Sequence, residues 1–330
     1  MRGIKFNTDG LAEVVELEVP HAAEGNVVVR VTSTGVCGSD LSALRGTHLF
    51  RVPPLISGHE GGGIVHEVGE GVSDFAEGDR VVIDPQKPCG TCDLCAEGNY
   101  HLCREKVMLG VAEWPGSFAD YVEVPAYTLI AAPDSIKDEH LGLAEPIAVA
   151  AHAVRQLGER KQKTALVLGG GTIGALIARV LSHNGTEVTV SEPRAFLKEK
   201  LEALGAAHVR TPDELGDDTY DAVFIAAGVP ELIAIGLDRV GQGGALVQVA
   251  VFNLEVPVHV GKLQVKEQAI LGTAMYQTQD FATALDLLAT YPDIPEILVS
   301  AVVSLEEGAD MITDMAKNGP GDILKLIMVP

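Results

Sequence analysis

Apolar residues fall in short β-branched runs through the first part of the chain. Val27–Val31, Gly62–Val68 and Arg80–Ile83 are such runs. Gly, Pro and Asp break them, as at Pro53-Pro54 and Gly78-Asp79. The pattern predicts a β-rich lobe over residues 1–146, all β apart from the cysteine loop as an excursion. From Glu145-Pro146 the period changes. Ile147–Leu157 carries apolar residues at helical spacing, and Ala165–Leu168 reads as a short buried strand. A helix over Ala175–Ser182, a strand over Glu187–Val190 and a helix over Phe196–Leu204 follow, then strands over Asp221–Ala226 and Ala245–Val249. This alternation predicts an α/β unit with a doubly wound parallel sheet over residues 147–271. Residues 272–330 are expected to return to the first lobe, with a helix over Phe281–Ala289 and a last strand over Ile323–Val329.

Between the strand Ala165–Leu168 and the helix Ala175–Ser182 lies Gly169-Gly170-Gly171-Thr172-Ile173-Gly174, a G-x-G-x-x-G run. The motif alone is weak, but a strand before it and a helix after it make it a dinucleotide fingerprint. Gly169 permits the tight turn, Gly171 lets the backbone approach a pyrophosphate, and Gly174 allows close packing of helix on strand. Glu192 ends the next strand, where a carboxylate accepts hydrogen bonds from ribose hydroxyls and repels a 2′-phosphate. NAD is therefore expected over NADP, with Arg194 placed to blunt that preference. Ala227 and Val249, at the ends of later strands, complete the expected cofactor-binding set with Thr172 and Ile173.

Cys89, Cys92, Cys95 and Cys103 form C-x2-C-x2-C-x7-C, expected as a structural zinc lobe over about residues 85–105. Four thiolates close a tetrahedron around Zn²⁺ and leave no position for substrate. An iron–sulfur run of the bacterial type has a shorter final gap followed by proline; here Arg104 follows Cys103. A disulfide framework belongs to short secreted chains. The fifth cysteine, Cys37, lies in Gly35-Val36-Cys37-Gly38-Ser39-Asp40, and His59 lies in Gly58-His59-Glu60. A thiolate and an imidazole can hold a second zinc if a third group joins them and one place stays open. Glu60 and Glu145 are the carboxylate candidates; the alternative is a buried thiol and a surface histidine.

The chain of 330 residues carries a formal net charge of −22. That excess of acid argues against nucleic acid or an anionic membrane as a partner, and against a zinc-finger module that reads nucleic acid. Met1–Gly10 lacks the apolar core of a signal peptide and no apolar run reaches bilayer length, so a cytoplasmic location is expected.

These motifs together resemble the zinc-dependent medium-chain alcohol and polyol dehydrogenases. The resemblance rests on Cys37-Gly38-Ser39-Asp40, on Gly58-His59-Glu60 with Gly63, Gly69 and Val72, and on Gly78-Asp79-Arg80-Val81. It continues through the four-cysteine lobe, Glu145-Pro146, the glycine run and Ser191-Glu192-Pro193, and so spans nearly the whole chain. Glu145-Pro146 and Ser191-Glu192-Pro193 are similar to the sorbitol and (R,R)-2,3-butanediol dehydrogenase branch. The resemblance implies a GroES-like catalytic domain, a Rossmann domain, an active site in the cleft between them, and a homodimer or homotetramer assembled through the Rossmann sheets. It implies Cys37 and His59 as ligands of a catalytic zinc, with Glu60 or Glu145 in the third place. It implies Ser39 as the hydroxyl that takes the substrate proton. Ser42 stands where many members have a relay histidine, which leaves His48 or water to pass the proton on.

The expected reaction is reversible, NAD-dependent oxidation of a secondary alcohol or vicinal diol to a ketone. The lead substrate pair is 2,3-butanediol and acetoin. Sorbitol-like polyols and broad secondary-alcohol or carbonyl reduction are alternatives, and a non-catalytic dinucleotide-binding protein is a remote one. Family position puts His48–Val52, Trp114 and Met275-Tyr276 along the substrate pocket; for Trp114, packing against the cysteine lobe is the other reading.

Overall fold

The computed structural model describes residues 1–330 apart from 112 and 253. Its contacts divide the chain into two units, Met1–Glu145 with Gln277–Pro330, and Pro146–Tyr276. The second unit therefore runs past residue 271 and closes at Tyr276.

The first unit is built on Asn26–Gly35, a long strand whose Val27, Val29 and Val31 share one core. Leu129–Ala131, Arg80–Ile83, Glu60–Val68, Asn26–Gly35, Lys325–Met328 and Val299–Val303 lie side by side in that order, and Tyr121–Pro125 also pairs with Asn26–Gly35. Glycines let the central strands close up: a Cβ on Gly63 would lie 2.1 Å from the Arg30 carbonyl oxygen. One apolar cluster holds Val27, Val29, Val31, Val65, Val81, Ile83, Leu109, Trp114 and Val122. A second forms where helices Gly38–Leu44 and Leu305–Asn318 bring Leu41, Leu44, Ile312 and Met315 against Ile4, Phe6 and Phe118. The lobe is β-rich but not all β: the helices Gly38–Leu44, Thr278–Thr290 and Leu305–Asn318 belong to it. The helix Leu305–Asn318 escaped the sequence reading, although Ser304 and Glu307 form a capping box at its start.

In the second unit, six strands among the described residues form a parallel sheet. Their spatial order is His208–Arg210, Glu187–Ser191, Thr164–Leu168, Tyr220–Ile225, Val240–Gln248, Ala269–Gly272. All five pairings are parallel, and in chain order the strands read 3-2-1-4-5-6. That is the doubly wound dinucleotide-binding order, with its reversal between Thr164–Leu168 and Tyr220–Ile225. The inner strands are mostly apolar because helices cover them: Leu166, Leu168, Val223, Ile225 and Leu246 pack with Ile233 and Leu237. Among the described residues, no helix is long and apolar enough to cross a membrane.

Candidate active site and metal centres

The strand Asn26–Gly35 ends two residues before Cys37, which is the N-cap of the helix Gly38–Leu44. His59 and Glu60 lie where the neighbouring strand Glu60–Val68 begins. Pairing of Gly35 with Glu60 brings the two turns together. Ligand atoms of Cys37, His59 and Glu60 all lie within 4.8 Å of one another, and the two latter side chains are buried. Glu145 is buried at the start of the helix Ala144–Arg155, and its carboxylate does not join that set. Of the two carboxylates left open by the sequence, the geometry gathers Glu60.

A buried carboxylate stands behind the set. Asp40 is fully buried; its Oδ2 accepts from the Cys37 backbone N–H at 2.9 Å, and its Oδ1 accepts from the Ser57 hydroxyl at 2.8 Å. Oδ1 also lies 3.5 Å from His59 Nδ1 and 3.0 Å from Arg51 Nη1. Burial pushes the Asp40 pKa up, but His59 and then Arg51 hold it well below the usual carboxylate range. Burial and the Arg51 charge pull His59 down; Asp40 and a hydrogen bond with Cys37 outweigh them, raising it to about 10. A site that favours a proton on that ring favours a metal ion in the proton's place. His59 Nδ1 lies 2.7 Å from Arg51 Nη1 and 3.5 Å from Asp40 Oδ1; with Nδ1 turned to these two groups, Nε2 is the nitrogen left for an ion shared with Cys37.

Glu60 has its own partner. Lys325, 2% exposed, donates through Nζ to Glu60 Oε2 and, at 3.0 Å, to the Val36 carbonyl oxygen. Gly35 leaves the room: a Cβ there would lie 2.0 Å from Glu60 Oε2. The sequence offers Asp40 only as a motif member and Arg51 only within the His48–Val52 pocket loop, and it gives Lys325 no role. Their signals were present, since Arg51 and Lys325 are single charges inside apolar runs and Asp40 sits three residues after an N-cap.

Ser39 is half-buried on the first helical turn, two residues from Cys37. Ser42 donates to the Gly38 carbonyl oxygen at 3.1 Å. His48 Nδ1 accepts from the backbone N–H groups of Phe50 and Arg51, at 3.2 and 3.1 Å, so it folds its own loop. Trp114 is a core residue: it is 7% exposed and its Nε1–H donates to the Glu123 carbonyl oxygen at 3.0 Å. Tyr276 is fully buried within its unit. Of the expected pocket residues, only the His48–Val52 loop offers exposed apolar groups, at Leu49, Phe50 and Val52.

The four cysteines converge. Sulfur–sulfur distances are 3.5 Å for Cys92–Cys95 and Cys89–Cys103, 3.9 Å for Cys92–Cys103 and 4.0 Å for Cys89–Cys95. A tetrahedron with zinc–sulfur bonds of about 2.3 Å places its sulfurs about 3.8 Å apart, whereas disulfide sulfurs lie about 2 Å apart. Backbone N–H groups of Thr91 and Cys92 lower the Cys89 thiol to about 6. Burial and then the Cys92 thiol push Cys95 up to about 12. Four thiols this close do not all ionise unless a cation sits among them.

In the second unit the glycine run turns at Gly169, whose φ is +109°, and a Cβ there would lie 2.7 Å from the Ala227 Cβ. Gly174 packs closest of all: a Cβ would meet the Gly169 carbonyl oxygen at 1.8 Å. Beside Gly171, the N-cap of the helix Thr172–His183, there is open space. Thr172 and Ile173 form the first turn, Ala227 follows the strand Tyr220–Ile225, and Val249 follows Val240–Gln248. These are the places a bound pyrophosphate and its riboses require. Glu192 follows the strand Glu187–Ser191, and its two oxygens are held within the unit. Oε2 accepts from the Gly170 N–H at 2.8 Å, and Oε1 accepts from Arg194 Nε at 2.8 Å and the Arg194 backbone N–H at 3.0 Å. Burial pushes the Glu192 pKa up, but the Arg194 and Gly170 hydrogen bonds bring it below its ordinary value.

Comparison with known proteins agrees with this geometry. Two family models match: alcohol dehydrogenase GroES-like domain over residues 23–134, and zinc-binding dehydrogenase over residues 172–290. A 2-dehydro-3-deoxy-L-galactonate 5-dehydrogenase from Pseudoalteromonas atlantica is 32% identical over 318 residues, 93% of each chain. The crystal structure of 2R,3R-butanediol dehydrogenase from Bacillus subtilis superposes with a TM-score of 0.90 at 27% identity, covering 100% of this chain and 99% of that one. A Sinorhizobium meliloti protein crystallised with NADP gives 0.92 at 28% identity, covering 100% and 99%. The chain belongs to the zinc-dependent medium-chain alcohol and polyol dehydrogenases, oxidoreductases that act on CH–OH groups.

Proposed function

We propose that the chain reversibly oxidises a secondary alcohol bearing a hydroxyl on the adjacent carbon, giving a hydroxyketone, with NAD as hydride acceptor. The lead pair is 2,3-butanediol and acetoin. The convergence of Cys37, His59 and Glu60 carries this reading, because it offers one thiolate, one imidazole and one carboxylate to a single ion. Three protein donors leave a fourth position for the substrate oxygen. The Bacillus butanediol dehydrogenase supports the small diol. The Pseudoalteromonas relative, whose name specifies a sugar acid, supports a second reading: a longer polyol or sugar acid.

Zinc at Cys37, His59 and Glu60 would supply a Lewis acid for the alcohol oxygen, and NAD a hydride acceptor. The chain's own residues do the rest. Ser39 takes the hydroxyl proton and hands it to water. Asp40 orients His59, and Lys325 fixes the carboxylate of Glu60. The N-terminus of the helix Thr172–His183 stabilises the pyrophosphate, and Glu192 receives the ribose hydroxyls. Cys89, Cys92, Cys95 and Cys103 hold a second zinc with a structural task. In this reading the enzyme is a cytoplasmic homodimer or homotetramer acting on a small molecule, without nucleic acid or membrane partners.

The test is coupled turnover with NAD and NADP over resolved 2,3-butanediol stereoisomers, acetoin, sorbitol, aldonate-type sugar acids and 2-butanol, with zinc measured on the same samples. Zinc near two equivalents per chain is expected. Cys37→Ala should lose one equivalent together with activity, and Glu192→Ala should lose discrimination against NADP. Full turnover by Cys37→Ala would sink the reading; preference for sugar acids over diols would select the second one.

A further inference from the structure

The carboxylate behind the metal-binding histidine has a counter-ion of its own. Arg51 is 5% exposed, yet Leu49, Phe50 and Val52 on the same loop stand 74%, 75% and 67% exposed. A guanidinium turned inward from an exposed loop loses its hydration, so it needs a buried partner. That partner is Asp40, 3.0 Å from Arg51 Nη1. The loop is folded for this purpose by His48 Nδ1, which accepts from the Arg51 backbone N–H at 3.1 Å.

Asp40 touches both first ligands: Oδ2 holds the Cys37 backbone, and Oδ1 faces the His59 ring. Arg51 Nη1 and His59 Nδ1 both face Asp40 Oδ1, at 3.0 and 3.5 Å, and lie 2.7 Å from each other. We infer that Arg51 is a positioning residue for the catalytic metal. It neutralises Asp40 and fixes that carboxylate between Cys37 and His59, so that Sγ and Nε2 face the same ion. Without it Asp40 is a buried charge whose remaining partners are the ring, the Ser57 hydroxyl and one backbone N–H. The carboxylate then relaxes toward water and the ligands lose their fixed aim. The inference rests on Cys37, His59 and Glu60 being the catalytic metal ligands.

The experiment uses full-length zinc-loaded protein: wild type, Arg51→Met, Arg51→Lys and Cys37→Ala. Zinc release to a chromogenic chelator is followed at fixed pH, and the d–d absorption is recorded after exchange with Co²⁺. The release phase missing from Cys37→Ala marks the catalytic ion. Partners of metal ligands carry about 10- to 100-fold in metal affinity. Arg51→Met should release that ion at least about tenfold faster and shift the cobalt band, while the cysteine-lobe phase stays unchanged. Arg51→Lys, which keeps the charge, should fall closer to wild type in both readouts. A loop staple with no role at the metal would lower thermal stability and leave the cobalt band in place. Wild-type release and an unshifted band in Arg51→Met would overturn the inference alone. Retention of all zinc by Cys37→Ala would overturn the site reading beneath it.

Discussion

At the scale of single residues, the site depends on two buried ion pairs joined by Cys37 and its flanking backbone. Asp40 pairs with Arg51, and Glu60 pairs with Lys325. Each cation is a lone charge in an apolar stretch, and each anion belongs to a recognisable motif. Hence the anions were legible as motif members and the cations were not: sequence shows that a charge is buried among apolar neighbours, but not which charge it meets. Lys325 Nζ also donates to the Val36 carbonyl oxygen, so it anchors the turn that carries Cys37. Removing one member of a buried pair strands the other, at a cost of about 3–5 kcal/mol. Lys325→Met should therefore lower the unfolding free energy of the metal-free protein by about 3 kcal/mol in chemical denaturation. Lys325→Met combined with Glu60→Gln should recover much of that loss, because the uncompensated carboxylate is gone. Equal stability of the single variant and wild type would show that Glu60 needs no counter-ion there.

At the scale of elements, the cysteine lobe was the most legible part of the chain, because ligand spacing is a local property. Its attachment was not legible, since the residues that dock it are far apart in sequence. Tyr100, between Cys95 and Cys103, donates its hydroxyl to Asp84 Oδ2 at 2.7 Å and lies 3.2 Å from Thr278 Oγ1. Gln277 Nε2 donates to the Gly98 carbonyl oxygen at 2.7 Å. The lobe thus grips the start of the helix Thr278–Thr290, the point where the chain re-enters the first unit. Burial raises the Asp84 pKa to about 6, against the hydrogen bonds from Tyr100 and Gln86 that favour its charged form. An unfolded aspartate titrates near about 3.9, so between these values the folded protein binds more protons than the unfolded one. Stability from this group is fully present below the lower value and is lost as pH rises through about 6. Asp84→Asn lacks that titration. The stability of wild type minus that of Asp84→Asn should fall between pH 4 and pH 7, measured by thermal unfolding at each pH. A difference independent of pH would show that Asp84 keeps an ordinary pKa.

At the scale of the molecule, the periodicity of the second unit gave four of its six described strands, because βαβ connections join neighbours in sequence; His208–Arg210 and Ala269–Gly272 are too short to show a period. The first unit hides its closure. Lys325–Met328 pairs with Asn26–Gly35 across nearly the whole chain and carries Lys325 to Glu60. No local period announces that pairing, which is why a last strand was foreseen but its place in the site was not. Charge is the other property that belongs to the whole. The chain has 46 acidic and 24 basic side chains, so its surface repels itself. Ion pairs such as Arg2–Glu306 and Lys262–Asp238 are exposed and contribute little, about 0–1 kcal/mol each. Salt screens both the pairs and the repulsion, and with this imbalance the repulsion dominates. Thermal stability should therefore rise as sodium chloride increases from about 20 mM, where charges interact across tens of ångströms, to about 500 mM, where they do not. The rise should be largest near neutral pH, with every carboxylate outside the buried sites ionised. It should shrink as pH approaches the ordinary carboxylate range and the excess charge is neutralised. A melting temperature that falls with salt at pH 7 would mean that local pairs, not the collective field, set the electrostatic balance.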